Sequence, residues 1–352
     1  MGIKRLNNFL EKKNALKYHD NISDFIKSFK IDGYQFFNTR NKSFVIGVDL
    51  LLYAHKFEYS CDSIYPRFLN QILNFMSNQI IPIYIIDGIA PNEKNDVINL
   101  RVIKKEKINE KLNILKNKLK IDSLKSDEKN KIIKQINKLN KNNINITSNH
   151  INNLTKMFDI FNIPYIRANG EADNLIASLF KKNIIDACLS EDMDILVFGC
   201  KKMIKFKSNK VIEYDLDYIL KKLNIDNNSF IEIAILFGCD YLKPILKNKP
   251  DEIFNNYYNC KNLLDLFNEI NLNKDIINKY MVDFYKTKNF FKILKDQKIP
   301  YSKINFKNID YNLLDEFFNK ICNYTFNKNI KYQISHINYL IKTKKFSNII
   351  IH

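Results

Sequence analysis

Tryptophan is absent from this chain of 352 residues, and glycine, proline, cysteine and histidine are all scarce. The six cysteines show no paired spacing, so we expect free thiols in a reducing compartment rather than a disulfide framework or a zinc site. Five scattered histidines argue against a histidine-based metal site. No apolar stretch approaches the roughly 18–20 residues that span a bilayer, and early charge argues against a signal peptide. We therefore expect an intracellular protein with no membrane association.

Positive charge, by contrast, is abundant. The chain has 56 Lys and Arg residues against 38 Asp and Glu, a formal net charge of +18 and a pI near 9.4. A strongly basic surface attracts polyanions such as nucleic acids. A composition biased towards lysine and asparagine is the alternative explanation for part of this excess, but it does not explain where the acidic residues fall.

Seven carboxylates follow short apolar runs of the chain. Runs rich in Val and Ile, without polar alternation, are typical of strands buried on both faces of a parallel sheet. The reactive crevice of such a sheet lies at the carboxyl ends of its strands. Carboxylates that meet there repel one another unless cations are bound, so the pattern predicts a divalent-metal site. The seven are Asp49, Asp87, Glu171, Asp173, Asp192, Asp194 and Asp240.

The spacing within two pairs of these acids is informative. Glu171 and Asp173 lie at the predicted start of a helix, and Asp192 and Asp194 would face the same way in extended chain. A single Asp at a strand end is more often a turn or cap residue, so the argument depends on the whole set. Oxygen ligands without Cys or His favour Mg²⁺, with Mn²⁺ as a substitute, over zinc. Two such ions can stabilise the attacking and leaving oxygens of a phosphodiester.

Two groups of cations accompany the acids. Lys94 and Arg101 are about two helical turns apart, so we expect both on one face of a helix, where they would hold a phosphate. Two ordinary surface cations are the alternative. Residues 101–150 hold 14 Lys and Arg against 5 acids, with apolar residues at helical spacing on both sides of a polar break. This predicts a basic helical hairpin, with a solvated lysine-rich face as the alternative.

The order and the residues of these motifs resemble those of the flap endonuclease/XPG family of structure-specific 5′ nucleases. Within that family, the residues are most similar to the exonuclease branch. The similar stretches span about residues 1–245 in the family order. They are Met1–Ile3, Val48–Lys56, Ile86–Lys94 with Arg101, Gly170–Asp173, Ser190–Cys200 and Gly238–Leu242.

The resemblance implies an α/β fold: a PIN-like 5′ nuclease domain with a mostly parallel central sheet, an inserted basic helical arch and a helical C-terminal part. It implies a Mg²⁺-dependent flap endonuclease or 5′-3′ exonuclease with two metal ions, acting in replication, repair or recombination. The first ion would be held by Asp87, Glu171, Asp173 and Asp192, the second would lie near Asp194 and Asp240, and Asp49 would complete the ring through water. Lys94 and Arg101 would be the catalytic cations, and Gly2, His55 and Lys56 would contact DNA. A packed histidine is the alternative for His55.

The implied segments are an XPG-N-like nuclease region (1–100), the arch (101–150), an XPG-I-like nuclease region (151–242) and a helical C-terminal region (243–352). In the last, the family carries a glycine-rich turn of a helix-two-turn-helix, which binds duplex DNA and a monovalent ion. Lysines stand here where the glycines would be, and lysine does not allow the same close backbone approach. We expect a degenerate motif in which Lys247 and Lys249 contact duplex phosphates through their side chains.

The expected partner is DNA with a flap, a nick or a recessed 5′ end, bound by a monomer in a nucleus or at a viral replication site. No Gln-led aromatic motif of the kind that docks on a sliding clamp is present. Two other functions are left open. One is a 5′ nuclease that acts mainly on RNA, and the other is a non-catalytic scaffold that binds DNA junctions.

Overall fold

The computed structural model describes residues 3, 5–31, 43–60, 63–89, 94–120, 126–245, 249–260, 263–269, 274–292, 302–346 and 349–351. The strands are β1 (Lys17–His19), β2 (Phe44–Asp49), β3 (Ile80–Ile86), β4 (Tyr165–Arg167), β5 (Ala187–Leu189), β6 (Lys202–Lys207), β7 (Lys210–Asp215), β8 (Ser302–Ile304) and β9 (Ile349–Ile351). The first helices are α1 (Leu6–Lys12), α2 (Ile22–Ile31), α3 (Leu50–Ser60), α4 (Tyr65–Ser77), α5 (Asn95–Leu119), α6 (Ser126–Asn142), α7 (Ser148–Phe161) and α8 (Ala172–Lys181). They are followed by α9 (Asp194–Val197), α10 (Leu216–Leu223), α11 (Asn227–Phe237), α12 (Pro250–Asn259), α13 (Leu263–Glu269), α14 (Lys274–Lys292), α15 (Tyr311–Cys322) and α16 (Lys328–Lys342).

A seven-stranded sheet forms the centre of the fold, with the order β1-β7-β6-β5-β2-β3-β4. The strands from β6 to β4 are parallel, and β7 and β1 extend one edge in antiparallel pairing. Every residue of the central strands β2 and β3 is buried, as expected for a sheet covered by helices on both faces. The predicted α/β fold with a mostly parallel sheet is therefore confirmed.

The strand register brings the predicted acids to one edge of this sheet. Asp49, the last residue of β2, pairs with Ile85 near the end of β3, and Val48 pairs with Leu189 at the end of β5. At the end of β3, Ile86 pairs with Arg167, the last residue of β4. The ends of these strands and the segments that follow them therefore lie side by side, and together they carry six of the seven acids.

Helices α5 and α6 form the predicted basic hairpin. Leu112 and Ile136 are its buried apolar residues, and the amide of Asn143 donates to Asn109 across the hairpin at 2.5 Å. Most of its lysines are exposed. The hairpin is longer than the predicted segment 101–150 at its start, because α5 begins at Asn95.

Three helices of the C-terminal part are tied together by one buried acid. Glu232 on α11 forms an ion pair with Lys288 on α14, and it accepts a hydrogen bond of 2.5 Å from the hydroxyl of Tyr257 on α12. Helix α12 begins at Pro250. Through Asp251 it also pairs with Lys12 on α1, at 2.5 Å.

Two helices connect β2 to β3, and β4 and β5 are strands of only three residues. The fold differs from the sequence-based expectation in its C-terminal part, which was expected to be helical but also contains an antiparallel pair, β8 with β9. Such short strands, 44 residues apart, carry no local periodicity by which a sequence could reveal them. Across the described ranges, no helix has both the length and the apolar character needed to cross a membrane.

Candidate active site

The first two strand-end acids each cap a following helix. Asp49 is buried, and its Oδ1 accepts the backbone N–H of Leu52 in α3 at 3.0 Å. Asp87 lies just after β3, and its Oδ1 accepts the N–H of Ala172 at the start of α8 at 2.6 Å. These caps point both carboxylates back across the sheet edge, where the segments after β4 and β5 also lie.

Asp192 and Asp194 lie in a tight turn, not in the extended chain that their spacing suggested. The N–H of Asp192 donates to Oγ of Ser190 at 3.0 Å, and the N–H of Asp194 donates to Oδ1 of Asp192 at 3.0 Å. Asp194 then begins α9, and its Oδ1 accepts the N–H of Ile3 at 3.1 Å. The prediction of an extended segment was wrong, because side-chain oxygens of the segment itself bond its amides and fold it into a turn.

The pKa values of the acids are raised by burial and by the negative charges of their neighbours. Burial, and then the charge of Asp87, raises the pKa of Asp49 to about 8. Burial and the charges of Asp192, Asp49 and Asp194 raise the pKa of Asp173 well above its usual value. Burial and the charges of Asp192 and Asp240 likewise raise the pKa of Asp194 well above its usual value. The pKa values of Asp87 and Asp192 are also raised, first of all by burial.

The carboxylates present fit the binding of a divalent cation. Oδ1 of Asp173 and Oδ2 of Asp194 are buried, and neither has a hydrogen-bond donor among the described residues. A buried carboxylate oxygen without a donor is costly, and a bound cation would remove that cost. Within the described ranges no three acidic, histidine or cysteine side chains form a ready-made ion site. Instead, two of the acids hold cations of the protein.

Lys94 and Arg101 each form an ion pair with one of the acids. Nζ of Lys94 lies 2.5 Å from Oε1 of Glu171, and Nη2 of Arg101 lies 2.9 Å from Oδ2 of Asp240. Lys94 is mostly buried at the N-terminal boundary of α5, whereas Arg101 is half exposed two turns further on. Burial would lower the pKa of Lys94, but the charge and hydrogen bond of Glu171 outweigh it and raise the pKa. Both cations thus lie beside the same group of acids at the start of the hairpin. This group of acids and its two cations line the acidic depression of the site.

Tyr241 is a site residue that the sequence analysis missed. Its hydroxyl donates to Oε2 of Glu171, and Nζ of Lys94 lies 4.8 Å from the centre of its ring. Burial and the charge of Glu171 raise the pKa of its phenol, which is therefore neutral. The only signal in the sequence was its position directly after Asp240.

Two glycines allow the backbone to bring these residues together. A side-chain carbon on Gly88 would lie 2.0 Å from the carbonyl oxygen of Ala168. Only glycine therefore lets the segments after β3 and β4 approach each other this closely beside Asp87. Gly238 ends α11 with a φ of +91°, and Cδ of Pro244 would lie 2.5 Å from an added side-chain carbon. The turn at Gly238 directs Asp240 towards the site.

The predicted DNA-contacting residues lie around this depression or outside the described chain. His55 is on the surface of α3, where desolvation, followed by Lys105 and Arg101, lowers its pKa. Lys56 forms an ion pair with Glu191, and Lys249 is exposed at the start of α12. Gly2 and Lys247 lie outside the described residues. The roles of all these residues stay predictions.

Comparisons with known proteins agree with this geometry. Residues 162–240 match the model of the XPG I-region, a stretch that contains five of the seven acids. Flap endonuclease 1 of Enterocytozoon bieneusi is 29% identical over 203 residues, which cover 55% of this chain and 53% of that protein. Flap endonuclease 1 of Drosophila yakuba is 29% identical over 202 residues, covering 55% and 49%. The chain thus spans about half the length of these curated relatives.

Solved structures share the fold over most of the chain. The catalytic core of Rad2, in complex with DNA substrate, superimposes with a TM-score of 0.62 at 18% identity, covering 94% of this chain and 99% of that catalytic core. Flap endonuclease-1 of Methanococcus jannaschii gives a TM-score of 0.58 at 19% identity, covering 86% and 94%. The matched I-region and the shared PIN-like fold agree with the resemblance of the motifs to the flap endonuclease/XPG family.

Proposed function

We propose that this protein is a Mg²⁺-dependent, structure-specific 5′ nuclease that hydrolyses DNA phosphodiesters, as a flap endonuclease, a 5′-3′ exonuclease or both. One observation carries the proposal: buried carboxylates, two of them with donor-free oxygens, meet at a sheet edge beside a basic helical hairpin. A basic exterior recruits a polyanion, and an acidic depression that holds cations can cleave it. Relatives named flap endonuclease 1 support the same activity.

Metal binding is assigned to the acids that surround the depression. Asp87, Glu171, Asp173 and Asp192 would hold one ion, Asp194 and Asp240 would lie near the second, and Asp49 would act through water. When bound, Mg²⁺ supplies a Lewis acid for the phosphodiester and lowers the pKa of the attacking water. Hard carboxylate oxygens fit Mg²⁺ or Mn²⁺, and no histidine or cysteine is needed.

The protein's own cations have a separate task in this proposal. Lys94 and Arg101 would bind the scissile phosphate and stabilise the negative charge that develops on it during hydrolysis. The lysines of α5 and α6 would contact the sugar-phosphate backbone of the strand that carries the 5′ end. Because phosphates carry no sequence information, the enzyme would select DNA by its structure.

One cleavage assay tests the proposal. End-labelled flap, nicked and single-stranded substrates, each made as DNA and as RNA, are incubated with Mg²⁺ or with EDTA. We expect Mg²⁺-dependent release of products from the 5′ end of branched DNA. Cleavage of the RNA set alone would favour a ribonuclease, and binding of branched DNA without cleavage would favour a scaffold.

A further inference from the structure

We propose that Tyr241 is a positioning residue of the active site. It orients Glu171 for metal binding and holds Lys94 where it can bind a phosphate, and α14 fixes its ring by packing. The inference rests on the proposed nuclease function and deepens it. Tyr241 contacts both a predicted metal ligand and a predicted phosphate-binding cation, through two different parts of its side chain.

The hydroxyl of Tyr241 acts on Glu171. It donates to Oε2, while Lys94 holds Oε1 at 2.5 Å, so both oxygens of this carboxylate have a partner. A carboxylate offers about four lone-pair sites, so Glu171 can keep the phenol as a donor and still bind a cation. A hydrogen bond of this kind fixes the orientation of a metal ligand, and removing one typically weakens metal binding by about 10- to 100-fold.

The ring of Tyr241 acts on Lys94. A cation 4.8 Å from a ring centre is attracted by the negative face of the π system. When Glu171 binds metal, its attraction for Lys94 falls, and the ring still holds the ammonium group beside the depression. Lys94 would then exchange Glu171 for a substrate phosphate without leaving the site.

Helix α14 fixes the ring itself. Phe290 and Phe291 lie 4.4 Å and 5.4 Å from the ring of Tyr241, between centres. Phe291 is buried, and α14 is held by the ion pair between Lys288 and Glu232. Helix α14, to which the sequence analysis assigned no role, therefore helps to shape the active site.

Two variants separate the two contacts. Tyr241→Phe removes the hydroxyl and keeps the ring, whereas Tyr241→Leu removes both. Tyr332→Leu, at a tyrosine that is 72% exposed on α16, is the matched control. Each is tested for Mg²⁺ binding by calorimetry without DNA, and for the rate of flap cleavage at saturating Mg²⁺.

We expect Tyr241→Phe to weaken Mg²⁺ binding by about 10-fold or more, with a saturated rate close to that of wild type. Tyr241→Leu should weaken binding equally and also lower the saturated rate by about 10-fold, because Lys94 no longer has the ring beside it. In a Lys94→Ala background the two variants should then cleave at the same rate. Unchanged Mg²⁺ binding by Tyr241→Phe would overturn the role at Glu171, and a persisting rate difference without Lys94 would overturn the role at Lys94.

A fluorescence variant keeps the test independent of cleavage. The chain has no tryptophan, so Phe290→Trp places a single tryptophan, which can be excited apart from the tyrosines, against the ring of Tyr241. We expect Mg²⁺ to change its emission with the affinity found by calorimetry, and Tyr241→Phe to shift that titration to higher Mg²⁺. An emission unaffected by Mg²⁺ would contradict the coupling of α14 to the site. Should wild type bind Mg²⁺ but cleave nothing, the proposed function fails while these binding outcomes still decide the role of Tyr241.

Discussion

Nζ of Lys94 lies 2.5 Å from Oε1 of Glu171, so a cation predicted to bind substrate neutralises an acid predicted to bind metal. Arg101 and Asp240 repeat the arrangement two helical turns further along α5. The depression therefore carries its own counter-charges, which Mg²⁺ and DNA would replace.

Removing either cation should impair catalysis more than binding. We expect Lys94→Ala and Arg101→Ala each to lower the rate of flap cleavage by about 10²- to 10³-fold, because each would stabilise charge that develops in the transition state. Single-turnover kinetics at saturating enzyme measure this loss. Lys274→Ala, at an exposed lysine of α14, is the control and should cleave like wild type. Equal rates for Lys94→Ala and the control would contradict the catalytic role.

Neutralising one buried acid should separate metal binding from stability. Asp173→Asn should abolish measurable Mg²⁺ binding and lower cleavage by at least about 10²-fold. In EDTA the same variant should be no less stable than wild type, because burial and three neighbouring carboxylates oppose the ionised form of Asp173. Calorimetry and thermal unfolding measure the two effects. Asp283→Asn, at an exposed acid on α14, is the control and should change neither property. A Mg²⁺ affinity that Asp173→Asn leaves unchanged would refute the assignment of Asp173 as a metal ligand.

The stability of the metal-free protein should fall as pH rises. Burial and the charge of Asp87 raise the pKa of Asp49 to about 8, whereas the pKa of Asp in an unfolded chain is about 3.9. Between these values the folded protein binds more protons than the unfolded chain, so its free energy of unfolding decreases with increasing pH. Bound Mg²⁺ would require the ionised acids and would relieve their repulsion.

Thermal unfolding measures this effect with and without Mg²⁺ between about pH 5 and about pH 8. In EDTA the midpoint should fall across the window, and the gain from added Mg²⁺ should grow. Asp49→Asn should flatten the dependence in EDTA. A gain that is the same at both ends of the window would contradict the linkage.

The lysines of the α5–α6 hairpin should govern the salt dependence of DNA binding. Exchanging Lys104, Lys107, Lys111 and Lys118 for Gln should reduce the slope of log affinity against log salt by roughly 0.7–0.9 for each phosphate that the hairpin no longer neutralises. Fluorescence anisotropy with a flap substrate measures the slope. The control exchanges four exposed lysines of the C-terminal helices, Lys279, Lys286, Lys320 and Lys328. If both sets changed the slope equally, net charge rather than the hairpin would direct binding.

The ion pair between Glu232 and Lys288 should dominate the stability of the C-terminal helices. Glu232→Ala leaves a buried ammonium group without its partner, and we expect a loss of about 3–5 kcal/mol in the free energy of unfolding. The double variant Glu232→Met with Lys288→Met should lose much less, since no buried charge is left unpaired. Denaturant titration of both distinguishes these outcomes. An equal loss in both variants would show that packing, and not charge, holds α14.

Much of the candidate site could be predicted because its residues follow strands. The apolar runs before Asp49 and Asp87 are buried along their whole length, and a parallel register forces the ends of such strands to one edge. The basic hairpin was also predictable, since its apolar residues keep helical spacing. These features depend on local pattern and on the geometry of one sheet.

Other features of the site depend on contacts between distant parts of the chain. The N–H of Ile3 donates to Oδ1 of Asp194, and Nζ of Lys94 lies against the ring of Tyr241. Local sequence carries no signal for a partner that lies more than a hundred residues away.

The sequence by itself determined the α/β class, the basic hairpin and the acids at the ends of the strands. Periodicity and strand ends are local, and repulsion among buried acids requires cations wherever they meet. Only the tertiary structure decided which acids pair with Lys94 and Arg101, and that α14 supports Tyr241. Those relationships come from packing, which brings together side chains that the chain itself keeps far apart.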